Sequence, residues 1–139
     1  KQLKDIGIQA TIESSPGPSH RSQVSKGNLQ FFRGSWIADY PDAENYLSLF
    51  YSKNKAPNGP NYTRFSDAEY DKLYEKGLTE TNDSARQAVY AQLDAIVAAK
   101  LPVLTLYYAQ SVRLVQPWVK ELRNNAMNRL ELKTVDIVR

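Results

Sequence analysis

The clearest pattern along the chain is a stretch of helical periodicity from about Asp83 to Lys100. Apolar side chains recur there at three- and four-residue spacing and form one stripe: Val89, Leu93, Ile96 and Val97. Pro102 follows directly, where a helix cannot continue. We predict a single amphipathic helix over this range.

Three shorter helices are predicted in the first 51 residues, before a long loop. Near the start, Lys1 to Asp5 is typical of a last helical turn that Gly7 closes. His20 to Lys26 is typical of a brief helix that ends at Gly27. Asp42 to Tyr51 has apolar residues at helical spacing, and Asp42 is placed to cap its free amides. Ser52 to Thr63, with Pro57, Gly59 and Pro60, is predicted to be a long loop.

One more helix is predicted just after that loop. Ser66 and Glu69 have the spacing of a capping box, which precedes an apolar face containing Tyr70 and Tyr74. Gly77 is expected to supply a left-handed stop.

Alternating or continuous runs of β-forming residues predict strands in five places. The ranges are Ile8–Ile12, Leu29–Trp36, Val103–Tyr108, Val112–Val115 and Leu130–Val138. The run that ends at Trp36 is apolar on both faces, as in a sheet covered on both sides. The predicted fold class is therefore α/β, with a mixed sheet flanked by helices.

Composition and charge narrow the class of protein. The 139 residues include 42% hydrophobic and 24% charged side chains, close to the globular average. No apolar run is long enough to span a membrane. The net charge of +3 comes from scattered basic residues, so we predict no nucleic-acid binding, which requires a basic stripe.

Signatures of enzymes, metals and cofactors are missing. The chain has no cysteine and one histidine, His20, which we interpret as a solvated helix-start residue. It also lacks a Gly-x-Ser-x-Gly elbow, a phosphate-binding glycine loop and a His-Glu-x-x-His motif. We predict no metal, no cofactor and no enzymatic activity. One enzymatic alternative stays open, a hydrolase that uses Asp39 and Asp42 as a carboxylate pair.

Asp39 is the carboxylate that helix-capping rules leave unexplained. Asp42 is accounted for as a cap and Glu44 as a first-turn acid favoured by the helix dipole. Asp39 follows Trp36 at the end of a predicted buried strand, where open α/β sheets place ligands. The other interpretation is a turn residue ahead of Pro41. A ligand-binding carboxylate there would suit a cationic group.

The same residues resemble a known family. Trp36-Ile37-Ala38-Asp39-Tyr40-Pro41-Asp42, followed by Asn45-Tyr46-Leu47, is similar to the Trp-x-Ala-Asp-Tyr-Pro-Asp signature of the peptide/nickel-type (family 5) extracellular solute-binding proteins of ABC importers. Further matching residues follow in the expected order: Gly59 to Tyr62, Arg86 with Tyr90, Pro102 to Tyr108, and Val115 to Val119. The resemblance covers nearly the whole chain.

The resemblance implies a two-lobed protein, of which residues 1–139 would be a C-terminal lobe fragment lacking its N-terminal lobe. In oligopeptide-binding relatives, the aspartate matching Asp39 pairs with the α-ammonium of the peptide, and the basic residue matching Arg33 meets its carboxylate end. Backbone matching Gly34 and Ile37 lies beside the peptide, and Trp36 is implied as a pocket wall. Tyr108 is the remaining implied ligand-binding residue, but Ala109 departs from a tyrosine common in those relatives.

The implied function is peptide binding for import, by lobes that close on the ligand and are then recognised by a membrane permease. The same scaffold also serves nickel chelates, haem, oligosaccharides and opine-like compounds, so these stay open as alternatives. The family further implies a monomer that is periplasmic or lipid-anchored outside the cytoplasmic membrane.

Overall fold

The computed structural model describes residues 2–125 and 127–138. By the contacts between its residues, the chain divides into one unit that ends at Arg33 and a second that begins at Gly34. The two units are described separately below.

The first unit contains two helices that end as the sequence predicts. Helix α1 spans Gln2–Asp5, and Gly7 closes it with φ of +81°, its amide bonding the Lys4 carbonyl at 3.0 Å. Helix α2 spans Gly17–Lys26 and ends at Gly27, whose φ is +75°. It begins three residues earlier than predicted because Pro18 fits the first helical turn, where no amide donor is needed.

The predicted strand Ile8–Ile12 is wrong. No strand is assigned to these residues, and Ile12 is 93% exposed. Alternating side chains form a strand only when a neighbouring strand takes their backbone hydrogen bonds, and the first unit supplies none within residues 2–33.

The second unit is built on three helices joined by tight turns. Helix α3 covers Glu44–Leu47 and continues as 3₁₀ turns at Ser48–Phe50 and Ser52–Asn54. Ala43 is the N-cap and has no side-chain bond, but Asp42, one position earlier, accepts the Glu44 amide at 2.8 Å and so satisfies one of the free amides that it was predicted to cap. Helix α4 covers Ala68–Thr79 and helix α5 Asp83–Lys100.

Helix α5 has the predicted bounds because local signals determine both of its ends. Asn82 accepts the Ala85 amide at 3.0 Å before the first turn. After the last turn, Leu101 takes a left-handed conformation with φ of +49°, and its amide bonds the Val97 carbonyl.

Helix α4 differs from the prediction at both ends. Asp67, not Ser66, is the cap and accepts the Tyr70 amide at 2.9 Å. Gly77 does not stop the helix but lies inside it, where a Cβ would come within 2.9 Å of Tyr90 Cε1. The glycine is therefore explained by the close packing of α5 on α4.

An aromatic core lies between these helices and the turns after α3. Tyr70 and Leu93 are fully buried, and the Tyr70 hydroxyl donates to the Leu47 carbonyl at 2.7 Å. Phe50, Phe65 and Tyr70 pack edge to face, an arrangement that the ring quadrupoles favour. The buried members of the core are Leu47, Phe50, Tyr51, Tyr70, Tyr74, Val89, Tyr90 and Leu93.

The predicted long loop at 52–63 is folded around Asn61, which is fully buried. Its amide nitrogen donates to the carbonyls of Tyr51 and Phe65, both at 3.0 Å, and its oxygen accepts the Thr63 hydroxyl. Gly59 lies so close to the Asn54 backbone that a Cβ would be 2.4 Å from the Asn54 oxygen.

The described residues contain one small sheet in place of the predicted mixed sheet. Strand β1, Val119–Lys120, pairs antiparallel with strand β2, Asp136–Ile137. The last predicted strand, Leu130–Val138, is thus reduced to two residues. Helices with a small sheet are consistent with a coarse α/β assignment.

Three further strand predictions are wrong: Leu29–Trp36, Val103–Tyr108 and Val112–Val115 have no strand assigned. Their apolar side chains are largely exposed, with Leu114 reaching 98%. Extended residues such as these need a neighbouring strand, and no second sheet occurs within residues 2–125 and 127–138. Among the same residues, no helix is long and apolar enough to span a membrane.

Candidate functional site

The segment from Trp36 to Asp42 connects an extended stretch to helix α3. Trp36 is partly buried, whereas Ile37, Asp39 and Tyr40 are exposed. The expected buried strand is absent here, so hydrogen bonds from neighbouring side chains hold the segment instead.

Asn45 makes the central contacts of this segment. Its side-chain oxygen accepts the indole Nε1–H of Trp36 at 2.7 Å and the backbone amide of Asp39 at 3.1 Å. Because Asn45 lies in the first turn of α3 and is only 4% exposed, the acceptor is fixed by the helix and the core beneath it. Trp36 and Asp39 are thereby brought together on one atom.

Arg129 holds the other side of Asp39. Its guanidinium Nη2 donates to the Asp39 carbonyl at 2.9 Å. The Arg129 amide in turn bonds the Asn125 side-chain oxygen at 3.0 Å, and the Asn125 amide nitrogen bonds the Arg129 carbonyl at 2.9 Å. The amide and the carbonyl of Asp39 are therefore both engaged.

Two tyrosines fix Glu44, the residue before Asn45. The hydroxyls of Tyr40 and Tyr74 donate to the two oxygens of the Glu44 carboxylate. The hydrogen bond to Glu44 raises the pKa of Tyr40. The pKa of Tyr74 is raised mainly by burial and secondly by its own hydrogen bond to Glu44. Both phenols stay protonated at neutral pH and act as donors.

Asp42 connects the segment to helix α5. Its carboxylate pairs with Arg86 at 2.8 Å, and the Arg86 guanidinium lies over the Tyr90 ring at 4.9 Å from the centroid. The bond with Asp42 raises the pKa of Arg86, and burial raises that of Tyr90. Asp42 thus makes two contacts, one to a first-turn amide of α3 and one ion pair with α5.

The Asp39 carboxylate is left facing solvent. None of the hydrogen bonds and ion pairs formed within residues 2–125 and 127–138 involves its oxygens. An exposed carboxylate on a fixed backbone is an acceptor ready for a cation or for N–H donors. The Asp42 carboxylate, by contrast, is engaged by Arg86 and by the Glu44 amide.

The other predicted site residues are less closely associated with Asp39. Gly34 and Ile37 are exposed on the same segment as Trp36. Tyr108 is 92% exposed in an extended stretch that follows α5. Arg33 belongs to the first unit, where its carbonyl accepts a hydrogen bond from the His20 ring at 3.2 Å. His20 also packs edge to face on Phe32, so it is not merely a solvated residue.

Two residues of the site were not predicted from the sequence, Asn45 and Arg129. Asn45 carried a signal, because a polar residue at a core-facing position of a predicted helix requires a hydrogen-bond partner. No sequence signal pointed to Arg129, because it is separated from Asp39 by 90 positions. Among the described residues, no cluster of three or more carboxylates and histidines could hold a metal ion.

Residues 1–58 match the family described as "Bacterial extracellular solute-binding proteins, family 5 Middle". Over 117 residues the chain is 27% identical to the periplasmic murein peptide-binding protein MppA of Escherichia coli strain K12, covering 84% of this chain and 21% of that protein. It is also 27% identical over 116 residues to the probable deoxycholate-binding periplasmic protein YgiS of the same organism, again covering 84% of this chain and 21% of that protein.

A solved structure of the Escherichia coli murein tripeptide binding protein MppA matches 99% of this chain with a TM-score of 0.86 and 27% identity. The match covers 26% of that protein's chain. In fold and sequence the chain is therefore similar to bacterial extracellular solute-binding proteins. The residues that match family 5 include the signature at Trp36–Asp42, from which that family was predicted. The chain spans about a fifth of the length of the curated relatives that it matches.

Proposed function

We propose that this chain is part of the substrate-binding component of a peptide-importing ABC transporter, and that Asp39 anchors the α-ammonium of the peptide. The observation that carries the proposal is the Asp39 carboxylate, which is exposed and unpaired within the described residues while its own amide and carbonyl are both held. Because the backbone that carries this carboxylate is already held, binding a cation does not require that backbone to be ordered, which favours affinity.

The proposed mechanism is closure of two lobes on the ligand, with the closed form recognised by a membrane permease. Residues 1–139 would contribute part of one lobe, and an N-terminal lobe the rest of the cavity. The protein would be a monomeric carrier without catalytic activity, in the periplasm or lipid-anchored outside the cytoplasmic membrane. The periplasmic relatives MppA and YgiS support this location.

Trp36 would form a wall of the pocket, since its indole is held beside Asp39 by a shared acceptor. Arg33, Gly34, Ile37 and Tyr108 are proposed as further ligand contacts, on the strength of the family signature alone. Their exposure in this chain agrees with surfaces that a ligand or the second lobe would cover.

A different solute is the second candidate, favoured by the relative named as a probable deoxycholate-binding protein. Deoxycholate is an anion, so an exposed carboxylate at Asp39 would oppose it. Its binding would then require a partner other than Asp39.

The test is calorimetry on the full-length protein that contains this chain, with a tripeptide and its N-acetylated form. Asp39→Ala and Asp39→Asn should each weaken binding of the free tripeptide by about 100-fold or more, because a desolvated ion pair that loses one partner costs about 3–5 kcal/mol. Asp94→Ala, which removes an exposed carboxylate on α5, is the control and should leave affinity unchanged.

Three results would contradict parts of the proposal. A change below threefold for Asp39→Ala would exclude the ammonium anchor. Binding of deoxycholate but not of the tripeptide would favour the second candidate. Cleavage of the tripeptide during incubation, instead of its recovery intact, would favour a hydrolase.

A further inference from the structure

The side-chain oxygen of Asn45 is a single acceptor shared by two parts of the proposed site. It accepts the indole N–H of Trp36 at 2.7 Å and the amide of Asp39 at 3.1 Å. One atom therefore sets the distance between an aromatic wall and the backbone that carries the carboxylate.

The position of Asn45 makes that acceptor rigid. The Asn45 amide bonds the Asp42 carbonyl at 3.2 Å, and Asn45 is only 4% exposed. Leu47, two residues later, is a buried member of the aromatic core. The helix and the core beneath it therefore hold the backbone that carries the Asn45 side chain.

The contacts of Asn45 differ from those of an ordinary structural asparagine. Asn82 accepts the Ala85 amide in the first turn of the helix that follows it, and Asn61 bonds the backbone of its own loop. The oxygen of Asn45 instead receives donors from outside its helix, on residues that precede it by six and nine positions. The hydrogen bonds of its side-chain oxygen therefore act on the Trp36–Asp39 segment and not on α3.

We propose that Asn45 is the positioning residue of the ligand site, orienting Trp36 and Asp39 together through one oxygen without touching the ligand. This inference rests on the proposed function, because it assigns a role at the same site. Without the Asn45 acceptor, the amide of Asp39 and the indole of Trp36 lose their shared partner, and the backbone that carries the carboxylate is held less firmly.

A double-mutant cycle in the full-length protein tests the proposal with the same tripeptide. Asn45→Leu keeps a similar volume but removes the acceptor, and should weaken binding about tenfold or more. Asn45→Asp retains an acceptor oxygen and should recover most of that loss. In an Asp39→Ala background, Asn45→Leu should cost less affinity than in the wild type, because the part of its effect that passes through the Asp39 carboxylate is already lost.

Ser48→Ala is the matched control, since it removes a hydrogen bond from Asn45 without involving the side-chain oxygen. Its effect on tripeptide affinity should be less than threefold. Equal losses for Ser48→Ala and Asn45→Leu, or additive losses for Asn45→Leu and Asp39→Ala, would overturn the positioning role.

Amide hydrogen exchange on the ligand-free protein separates this inference from the proposed function. Asn45→Leu should raise the exchange rate in a peptide covering residues 36–40 and leave helix α5 unchanged. If the wild-type protein does not bind the tripeptide, the proposed function fails and the ligand role of Asn45 fails with it. Unchanged exchange at residues 36–40 would overturn the role of Asn45 even if the tripeptide binds.

Discussion

Arg129 donates a hydrogen bond from its guanidinium to the backbone carbonyl of Asp39 at 2.9 Å, across 90 positions of sequence. The side-chain oxygen of Asn45 accepts a hydrogen bond from the backbone amide of the same residue. The backbone of Asp39 is thus held on both sides, by one residue in helix α3 and by another 90 positions later in the sequence.

Arg129→Ala should weaken tripeptide binding by the full-length protein about 2- to 10-fold. One hydrogen bond contributes about 0.5–1.5 kcal/mol net, and its loss releases only one side of Asp39. Calorimetry provides the measurement. Arg123→Ala is the control, since Arg123 is exposed and pairs with Glu121, and an equal effect of the two variants would contradict a specific role for Arg129.

Gly77→Ala should destabilise the protein by about 1–3 kcal/mol, because the added Cβ lies 2.9 Å from Tyr90 Cε1 and the helices must separate. The measurement is denaturant unfolding. Gly17→Ala is the matched control: it also lies in a helix, but its nearest neighbour is a flexible Arg21 side chain at 3.4 Å. Equal stability of Gly77→Ala and the wild type would show that α4 and α5 are packed less closely than described.

Asn61→Leu should be strongly destabilising. It leaves the Phe65 carbonyl without its donor and removes one of the two donors to the Tyr51 carbonyl, which keeps the Asn54 amide. An unsatisfied buried group costs about 1–3 kcal/mol. Thermal unfolding would measure the loss. Asn58→Leu, an exposed substitution in the same loop, should change stability by less than about 0.5 kcal/mol. A similar result for both variants would contradict the buried hydrogen-bond network.

The stability that Asp67 contributes should depend on pH. The hydrogen bond from Lys100, and next the Tyr70 amide, lower the pKa of the Asp67 carboxyl in the folded protein. The contribution is therefore complete above the unfolded pKa of about 4 and is lost as the pH falls through the lower folded value.

Asp67→Asn provides the comparison, because asparagine keeps a capping oxygen but does not titrate. The difference in unfolding free energy between the wild type and Asp67→Asn should be largest near pH 7 and shrink below about pH 4. A difference that is constant from pH 7 to pH 3 would contradict the ion pair with Lys100.

The sequence predicted the parts of the fold whose signals are local. Gly7 and Gly27 end helices, Asp42 accepts a first-turn amide of α3, and helix α5 has the expected bounds because capping and periodicity act within a few residues. Gly77 was misinterpreted because its role depends on Tyr90, a residue of another helix. Ser66 was predicted as the N-cap of α4, but the cap is Asp67. Residue spacing alone does not distinguish between two neighbouring capping residues.

The strands were predicted poorly because strand formation depends on a partner. Val103–Tyr108 has the composition of a strand, but no neighbouring segment among residues 2–125 and 127–138 takes its hydrogen bonds. At the site, Asp39 was predicted from the failure of simpler explanations and from the family signature. Arg129 could not be predicted as a site residue, because only the folded chain brings it to the Asp39 carbonyl.

The stretch from Val103 to Ala109 has a practical consequence for handling this chain by itself. Seven residues without charge or proline, rich in β-formers and exposed along their length, have the composition of segments that stack between molecules. We expect purified residues 1–139 to self-associate through this stretch. A lysine in place of Leu104 or Leu106 should keep the chain monomeric in sedimentation measurements.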